Sequence, residues 1–160
     1  MERPNILCVD DQREVLATLK KDLNVFQNYF RLEFCESAEE AAEVIDEIDA
    51  NGEHLALIIC DHIMPDSNGI DFLIKVDHDV RFERAKKLLL TGLATHQDTI
   101  TAINEANINH YIEKPWDSDD LIKSVKKLMT QYVLNSGLDY QDYLPMLDQE
   151  LLYKELRLKN

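Results

Sequence analysis

Two hydrophobic periodicities alternate along the chain. Short apolar runs lie at Asn5–Val9, Phe30–Cys35, Leu55–Cys60, Lys87–Thr91 and Asn109–Glu113, and runs of this length predict strands. Between them apolar residues recur at helical spacing: Val15, Leu16, Leu19, Leu23 and Phe26, then Ala38, Ala41, Ala42, Ile45 and Ile48. A later stretch repeats the spacing with Leu121, Ile122, Val125, Leu128, Met129 and Tyr132, and shorter helices are predicted at about Ile70–Val76 and Asp98–Ala106. Ser37 followed by Glu40 forms a capping box for the second helix, and Asp117 with Asp120 offers a comparable start for the last. Strands alternating with helices imply right-handed crossovers and a mostly parallel sheet covered on both faces. The unbroken apolar character of Leu55–Ile59 fits a central strand buried on both sides. The fifth unit ends near Asn135-Ser136-Gly137, a helix stop with a C-terminal glycine.

Residues 138–160 stand outside that repeat. Leu144, Leu147, Leu151 and Leu158 follow a helical stripe, with Pro145 placed near a first turn. The stripe is too short to be a stable helix alone in water, so it must pack on its own domain, a second copy or a further domain. Self-association through this tail is the favoured expectation, ahead of folding back. With five acids against three bases, the tail is no basic arm.

Composition narrows the class. At 160 residues the chain suits one domain with an appendage, long enough to bury a core without disulfides or a structural metal. Hydrophobic residues make up 45% and charged residues 30%, which argues against disordered and low-complexity classes. The net charge of −14 argues against direct binding to nucleic acid or an anionic membrane, because both depend on clustered Lys and Arg. No apolar run approaches a membrane span, and Met1–Pro4 leads into a run too short for a signal peptide, so a cytoplasmic location is expected. Cys8, Cys35 and Cys60 each end or interrupt an apolar run and form no C-x-x-C pair; they read as buried strand thiols.

The chemistry collects at the carboxyl ends of the strands, where ligands bind in open α/β sheets. The first strand finishes in Asp10-Asp11, the third in Asp61, the fourth in Thr91-Gly92 and the fifth in Glu113-Lys114-Pro115. Crowded carboxylates stay ionised together only when a cation compensates them. An all-oxygen set of this size suits Mg²⁺, and a carboxylate beside Mg²⁺ and a lysine is what formation of an aspartyl phosphate requires. The five histidines, His54, His62, His78, His96 and His110, have no metal-ligand spacing, and His62 reads as a solvent-facing loop residue.

Four segments carry a resemblance. They are Asp10-Asp11, Asp61-His62-Ile63-Met64-Pro65-Asp66-Ser67-Asn68-Gly69, Leu88-Leu89-Leu90-Thr91-Gly92 and Tyr111-Ile112-Glu113-Lys114-Pro115. Over roughly 4–137 the chain resembles the receiver domain of two-component response regulators, similar to chemotaxis regulators. The resemblance implies a flavodoxin-like, doubly wound five-stranded parallel sheet of order 2-1-3-4-5, with 138–160 as a helical extension or linker to an output domain. It assigns Asp61 as phosphoacceptor, with a histidine kinase or phosphotransfer protein as the donor. It implies Mg²⁺ held by Asp10, Asp11, Asp61 and the Ile63 backbone carbonyl, with Lys114 and Thr91 on the phosphoryl oxygens. Tyr111 would be the aromatic switch, Pro115 a cis-proline aiming Lys114 at the site, and Gly69 the residue permitting the turn after the phosphorylation loop. The switching surface would be helix four, strand five and helix five, which is also a possible homodimer face.

Ile63 and Leu93 stand where this family often places hydrolysis-tuning residues. Both are apolar, so a slowly hydrolysed phosphoryl group is expected. Trp116 makes the motif K-P-W, a type often found ahead of cyclic-dinucleotide phosphodiesterase or enhancer-activator output domains. Such a domain catalyses phosphorylation of its own aspartate and slow dephosphorylation, and is not a turnover enzyme. Two alternatives stay open: a Mg²⁺-dependent aspartyl-phosphate phosphatase, which wants a D-x-D-x-T motif that Asp10-Asp11-Gln12 does not supply, and a phosphorylation-independent interaction module.

Overall fold

The computed structural model describes residues 1–65, 67–92 and 96–158. Five strands, β1 (Asn5–Val9), β2 (Arg31–Cys35), β3 (Leu55–Cys60), β4 (Lys86–Thr91) and β5 (His110–Glu113), pair in parallel in the order β2-β1-β3-β4-β5. The helices between and after them are α1 (Arg13–Asp22), α2 (Ala38–Ala50), α3 (Gly69–Asp77), α4 (His96–Glu105) and α5 (Ser118–Asn135). This is the flavodoxin-like order that the resemblance implies, built from the parallel strands and covering helices that the alternating periodicities predict. Within the central strands the side chains split by parity, as strand geometry requires. Ile6, Cys8, Leu57, Ile59, Leu88 and Leu90 face the core under α1 and α5. Leu7, Val9, Ile58, Cys60 and Leu89 face the core under α2, α3 and α4. All three cysteines are free and buried.

The expected caps form. Ser37 Oγ accepts from the Glu40 N–H at 3.1 Å, while the Glu40 carboxylate accepts from the Glu36 N–H, one residue before the box predicts. Asp117 Oδ1 accepts from the Asp119 N–H at 2.8 Å, and α5 stops before Gly137, whose φ of +83° needs no Cβ. The first helix differs from its spacing. It ends at Asp22, and Leu23–Phe26 tightens into a 3₁₀ turn that keeps Leu23 and Phe26 buried. Trp116 and Ser118 both donate to the Asp22 carboxylate at this end, at 2.8 and 2.9 Å.

The tail departs furthest from expectation. It is not one helix but a 3₁₀ segment, Tyr140–Met146, followed by α6 (Gln149–Leu158), and Pro145 lies inside the 3₁₀ segment rather than at a helix start. Asp148 supplies the break. Its Oδ1 accepts from the Leu151 N–H at 3.1 Å, and its own N–H donates to the buried Thr130 Oγ1 at 2.8 Å. The break resets the helical phase, so Tyr143, Leu147 and Leu152 are buried against α5 and the sheet, while Leu144 and Leu158 face outward. Tyr143 stacks on Phe30 with ring centroids 5.6 Å apart and donates its hydroxyl to the Glu2 carbonyl. The apolar demand of the tail, which pointed to self-association, is thus met for these three residues within the chain.

Candidate functional site at the carboxyl ends of the strands

Strand β1 delivers Asp10 and Asp11, one and two residues past its end at Val9, and β3 delivers Asp61, one residue past its end at Cys60. The Asp61 N–H donates to the Val9 carbonyl at 3.0 Å, and the Asp10 N–H to the Cys35 carbonyl at 3.0 Å, so the ladders hold both backbones. Oxygens of Asp10, Asp11 and Asp61 lie within 4.8 Å of one another. From the far side of the sheet edge Lys114 reaches in, with Nζ 2.7 Å from Asp10 Oδ2 and 3.3 Å from Asp61 Oδ2. The Lys114–Pro115 peptide bond is cis. A cavity of about 390 Å³ opens onto this cluster, lined by Asp11, Gln12, Asp61, Ile63, Thr91 and Lys114 among others.

Three carboxylates against one ammonium leave the ionised cluster at −2. Burial is the largest influence on Asp10; aided by the charge of Asp61, it pushes the carboxyl above its usual range, against the hydrogen bonds from Lys114 and the Gln12 N–H. Burial alone would lower Lys114, but its hydrogen bond to Asp10 and the charge of Asp61 outweigh it and hold the ammonium above its ordinary value. Both shifts express one condition, a dry carboxylate cluster with a single resident cation. The donor set is all-oxygen and short of positive charge, which fits a hard divalent cation such as Mg²⁺.

Around this cluster the remaining predicted residues take their places. Thr91 is fully buried at the end of β4 and lines the cavity. Tyr111 sits half-buried in β5 against the core under α4, and burial raises its phenol. Ile63 lies at the cavity mouth with 46% of its surface exposed. Leu93, its expected partner in flanking the site, lies outside the described residues. Gly69 is needed for a reason other than its turn. A Cβ there would stand 1.7 Å from the Asp61 carbonyl oxygen and 2.9 Å from Cys60 Sγ, so only glycine lets α3 start against the backbone of Asp61.

His62 corrects its sequence reading. It is buried, at 4% exposure, because the loop after β3 folds back on itself through a two-residue antiparallel ladder, Ile63–Met64 with Ser67–Asn68. Its N–H donates to Asp61 Oδ1 at 2.8 Å, and its carbonyl accepts from the Gly69 N–H at 2.6 Å. Asn68, unnoticed in the sequence, caps α3 by accepting from the Ile70 N–H at 2.8 Å; an Asn directly before Gly and an apolar run is the signal that marks it.

The family model for the response regulator receiver domain matches residues 6–126. The chain is 32% identical over 111 residues to the chemotaxis protein CheY1 of Helicobacter pylori, across 69% of this chain and 85% of CheY1. It is 30% identical over 129 residues to the hydrogenase transcriptional regulatory protein HoxA of Bradyrhizobium diazoefficiens, across 81% of this chain and 24% of HoxA. The chain therefore spans about a quarter of the length of the HoxA proteins it matches. Among solved structures, the signal receiver domain of an HD domain-containing protein from Pseudomonas fluorescens superposes with a TM-score of 0.74 at 25% identity, covering 84% of this chain and all of that one. A CheY-like response regulator receiver domain protein from Methanospirillum hungatei gives 0.69 at 28% identity, covering 81% of this chain and 97% of that one. A family match over well more than half of the chain, on a sheet of this order, means that the chain belongs to the response regulator receiver domain family.

Proposed function

We propose that this receiver accepts a phosphoryl group on Asp61 from a partner histidine kinase or phosphotransfer protein, in a Mg²⁺-dependent reaction, and so switches its α4-β5-α5 surface. The observation that carries the reading is the meeting of Asp10, Asp11, Asp61 and Lys114 in one cluster, onto which a cavity lined by Asp11, Asp61 and Lys114 opens. Asp61 Oδ1 is engaged by the His62 N–H, which leaves Oδ2, beside Lys114, as the nucleophile. An O–P bond forms at that oxygen as the P–N bond to the donor imidazole breaks and its electron pair stays on nitrogen. Lys114 draws to itself the negative charge of the transferred group. Asp10, Asp11, Asp61 and the Ile63 carbonyl are the residues to hold Mg²⁺, which when bound neutralises charge on the phosphoryl oxygens. Thr91 then hydrogen-bonds a phosphoryl oxygen, and Tyr111 turns inward into the space that Thr91 leaves.

In this reading 4–137 is the receiver and 138–160 a helical extension laid against it; the domain is a signalling module and not a turnover enzyme. A cytoplasmic location agrees with the finding that, among the described residues, no helix is long and apolar enough to cross a membrane. The test is labelling by acetyl phosphate with Mg²⁺. Wild type should acquire one acid-labile phosphoryl group that neutral hydroxylamine also removes, as an acyl phosphate requires, and Asp61→Asn should acquire none, since an amide is a poor nucleophile. Undiminished labelling of Asp61→Asn would refute the assignment.

A further inference from the structure

The His62 side chain has no role in the reading above, yet it is buried directly beside the phosphoacceptor. Its surroundings define its protonated nitrogen. Asn68 Oδ1 is occupied by the Ile70 and Asp71 N–H groups, so the amide nitrogen of Asn68 is what faces His62 Nε2, at 3.5 Å. That makes Nε2 the acceptor of the neutral ring and places the proton on Nδ1. Among the described residues Nδ1 has no hydrogen-bond partner. It faces Asp98 Oδ2, in the first turn of α4, across 3.8 Å. A buried donor this near a carboxylate oxygen, beyond bonding distance by about 1 Å, is a contact held open.

We infer that His62 is a positioning residue that couples Asp61 to α4, by closing the Nδ1–Asp98 hydrogen bond when the phosphoryl group is on Asp61. The coupling has a physical route. The His62 N–H is bound to Asp61 Oδ1, and forming the acyl phosphate removes the carboxylate charge from that acceptor. The His62 carbonyl is tied to the Gly69 N–H and the ring rests against Asn68, so the start of α3 holds this residue on its other side. A shift of the His62 backbone therefore moves the imidazole toward or away from Asp98, and α4 follows. This second connection lies apart from Thr91 and Tyr111, and it rests on Asp61 being the phosphoacceptor.

The experiment is amide hydrogen exchange across 96–105 in the full chain, with and without beryllofluoride and Mg²⁺ as the phosphoryl mimic. The variants are Asp98→Ala, His62→Phe and His62→Asn, the last of which keeps a donor near the Nδ1 position. In wild type the mimic should change exchange in α4 by about fivefold or more. Asp98→Ala and His62→Phe should reduce that change to less than about twofold, and His62→Asn should retain most of it. The reading is a difference between two states of each variant, so a uniform loss of α4 stability does not produce it. If His62→Phe does not fold, Asp98→Ala decides alone. A full response in Asp98→Ala, or no α4 response in a wild type that acetyl phosphate labels, overturns the coupling only. Failure of wild type to label overturns the phosphoacceptor assignment and the coupling with it.

Discussion

Gly69 shows how a single position constrains the site. With the Asp61 carbonyl 1.7 Å from where a Cβ would stand, Gly69→Ala must push α3 away from β3 and carry the Asp61 backbone with it. We expect a loss of about 3 kcal/mol in urea unfolding, the upper end for an overpacked core, together with slower labelling of Asp61. Wild-type stability in this variant would remove the close-approach argument. At the opposite edge of the sheet, Lys87 is buried in β4 and pairs with Asp77 at 3.0 Å, and Asn107 donates to the same carboxylate. Burial alone would raise the Asp77 carboxyl; the hydrogen bonds from Asn107 and Lys87 outweigh it and hold the group below its usual value. A depressed folded value gives stability that is full above the unfolded value, about pH 4, and is lost as pH falls through the folded one. Asp77→Asn should flatten the stability profile below about pH 4 and cost about 3 kcal/mol at neutral pH, since it leaves a buried ammonium unpaired. An unchanged acid limb would rule the pair out as its source. Neither residue stands out in the sequence, because Lys at a strand start usually means an exposed end.

At the scale of elements, local signals succeeded and phase across a break did not. Strand limits, the caps at Ser37 and Asp117 and the stop before Gly137 follow from residues within four positions of one another; the caps and the stop appear where the pattern puts them, and the strand limits fall within one residue of it. The tail stripe assumed one continuous helix through Leu144, Leu147, Leu151 and Leu158. The turn at Asp148 separates a segment of about three residues per turn from one of about 3.6, which moves Leu144 and Leu158 outward and brings Tyr143 and Leu152 in. Tyr143→Ala should therefore destabilise the fold by about 3–4 kcal/mol, as for a truncated core aromatic, while Leu158→Ala should change it by less than about 0.5 kcal/mol. Thermal or urea unfolding of the two variants separates this arrangement from a stripe that faces a second copy, for which the ranking would be reversed. A chain ended at Gly137 should lose stability as Tyr143→Ala does, because Phe30 and the inner face of α5 are uncovered.

For the whole molecule the dominant quantity is charge. The chain carries −14, and the carboxyl-terminal edge of the sheet concentrates three carboxylates about one lysine. Mg²⁺ bound there should stabilise the folded state by about 2.7 kcal/mol at a hundred times its dissociation constant, which a rise in Tm reversed by EDTA measures. Asp11→Ala should lose most of that rise while unfolding cooperatively, because Asp11 contributes charge at a half-buried loop rather than core packing. A Tm indifferent to Mg²⁺ in wild type would leave the acidic cluster without its cation.

The sequence alone determined the alternating α/β class, the parallel sheet, the helix caps and the set of residues at the strand ends. Each of these is encoded by neighbours in the chain, through periodicity, capping pairs and the rule that ligands gather at strand carboxyl ends. Tertiary structure alone decided which groups meet. Lys114 and Asp10 touch across 104 positions, and Tyr143 reaches Glu2 across 141. It also decided that His62 is buried and that Gly69 must lack a side chain, since both follow from a loop closing back on β3. Burial and contact depend on which surfaces come together after the chain has folded, and no local pattern carries that information.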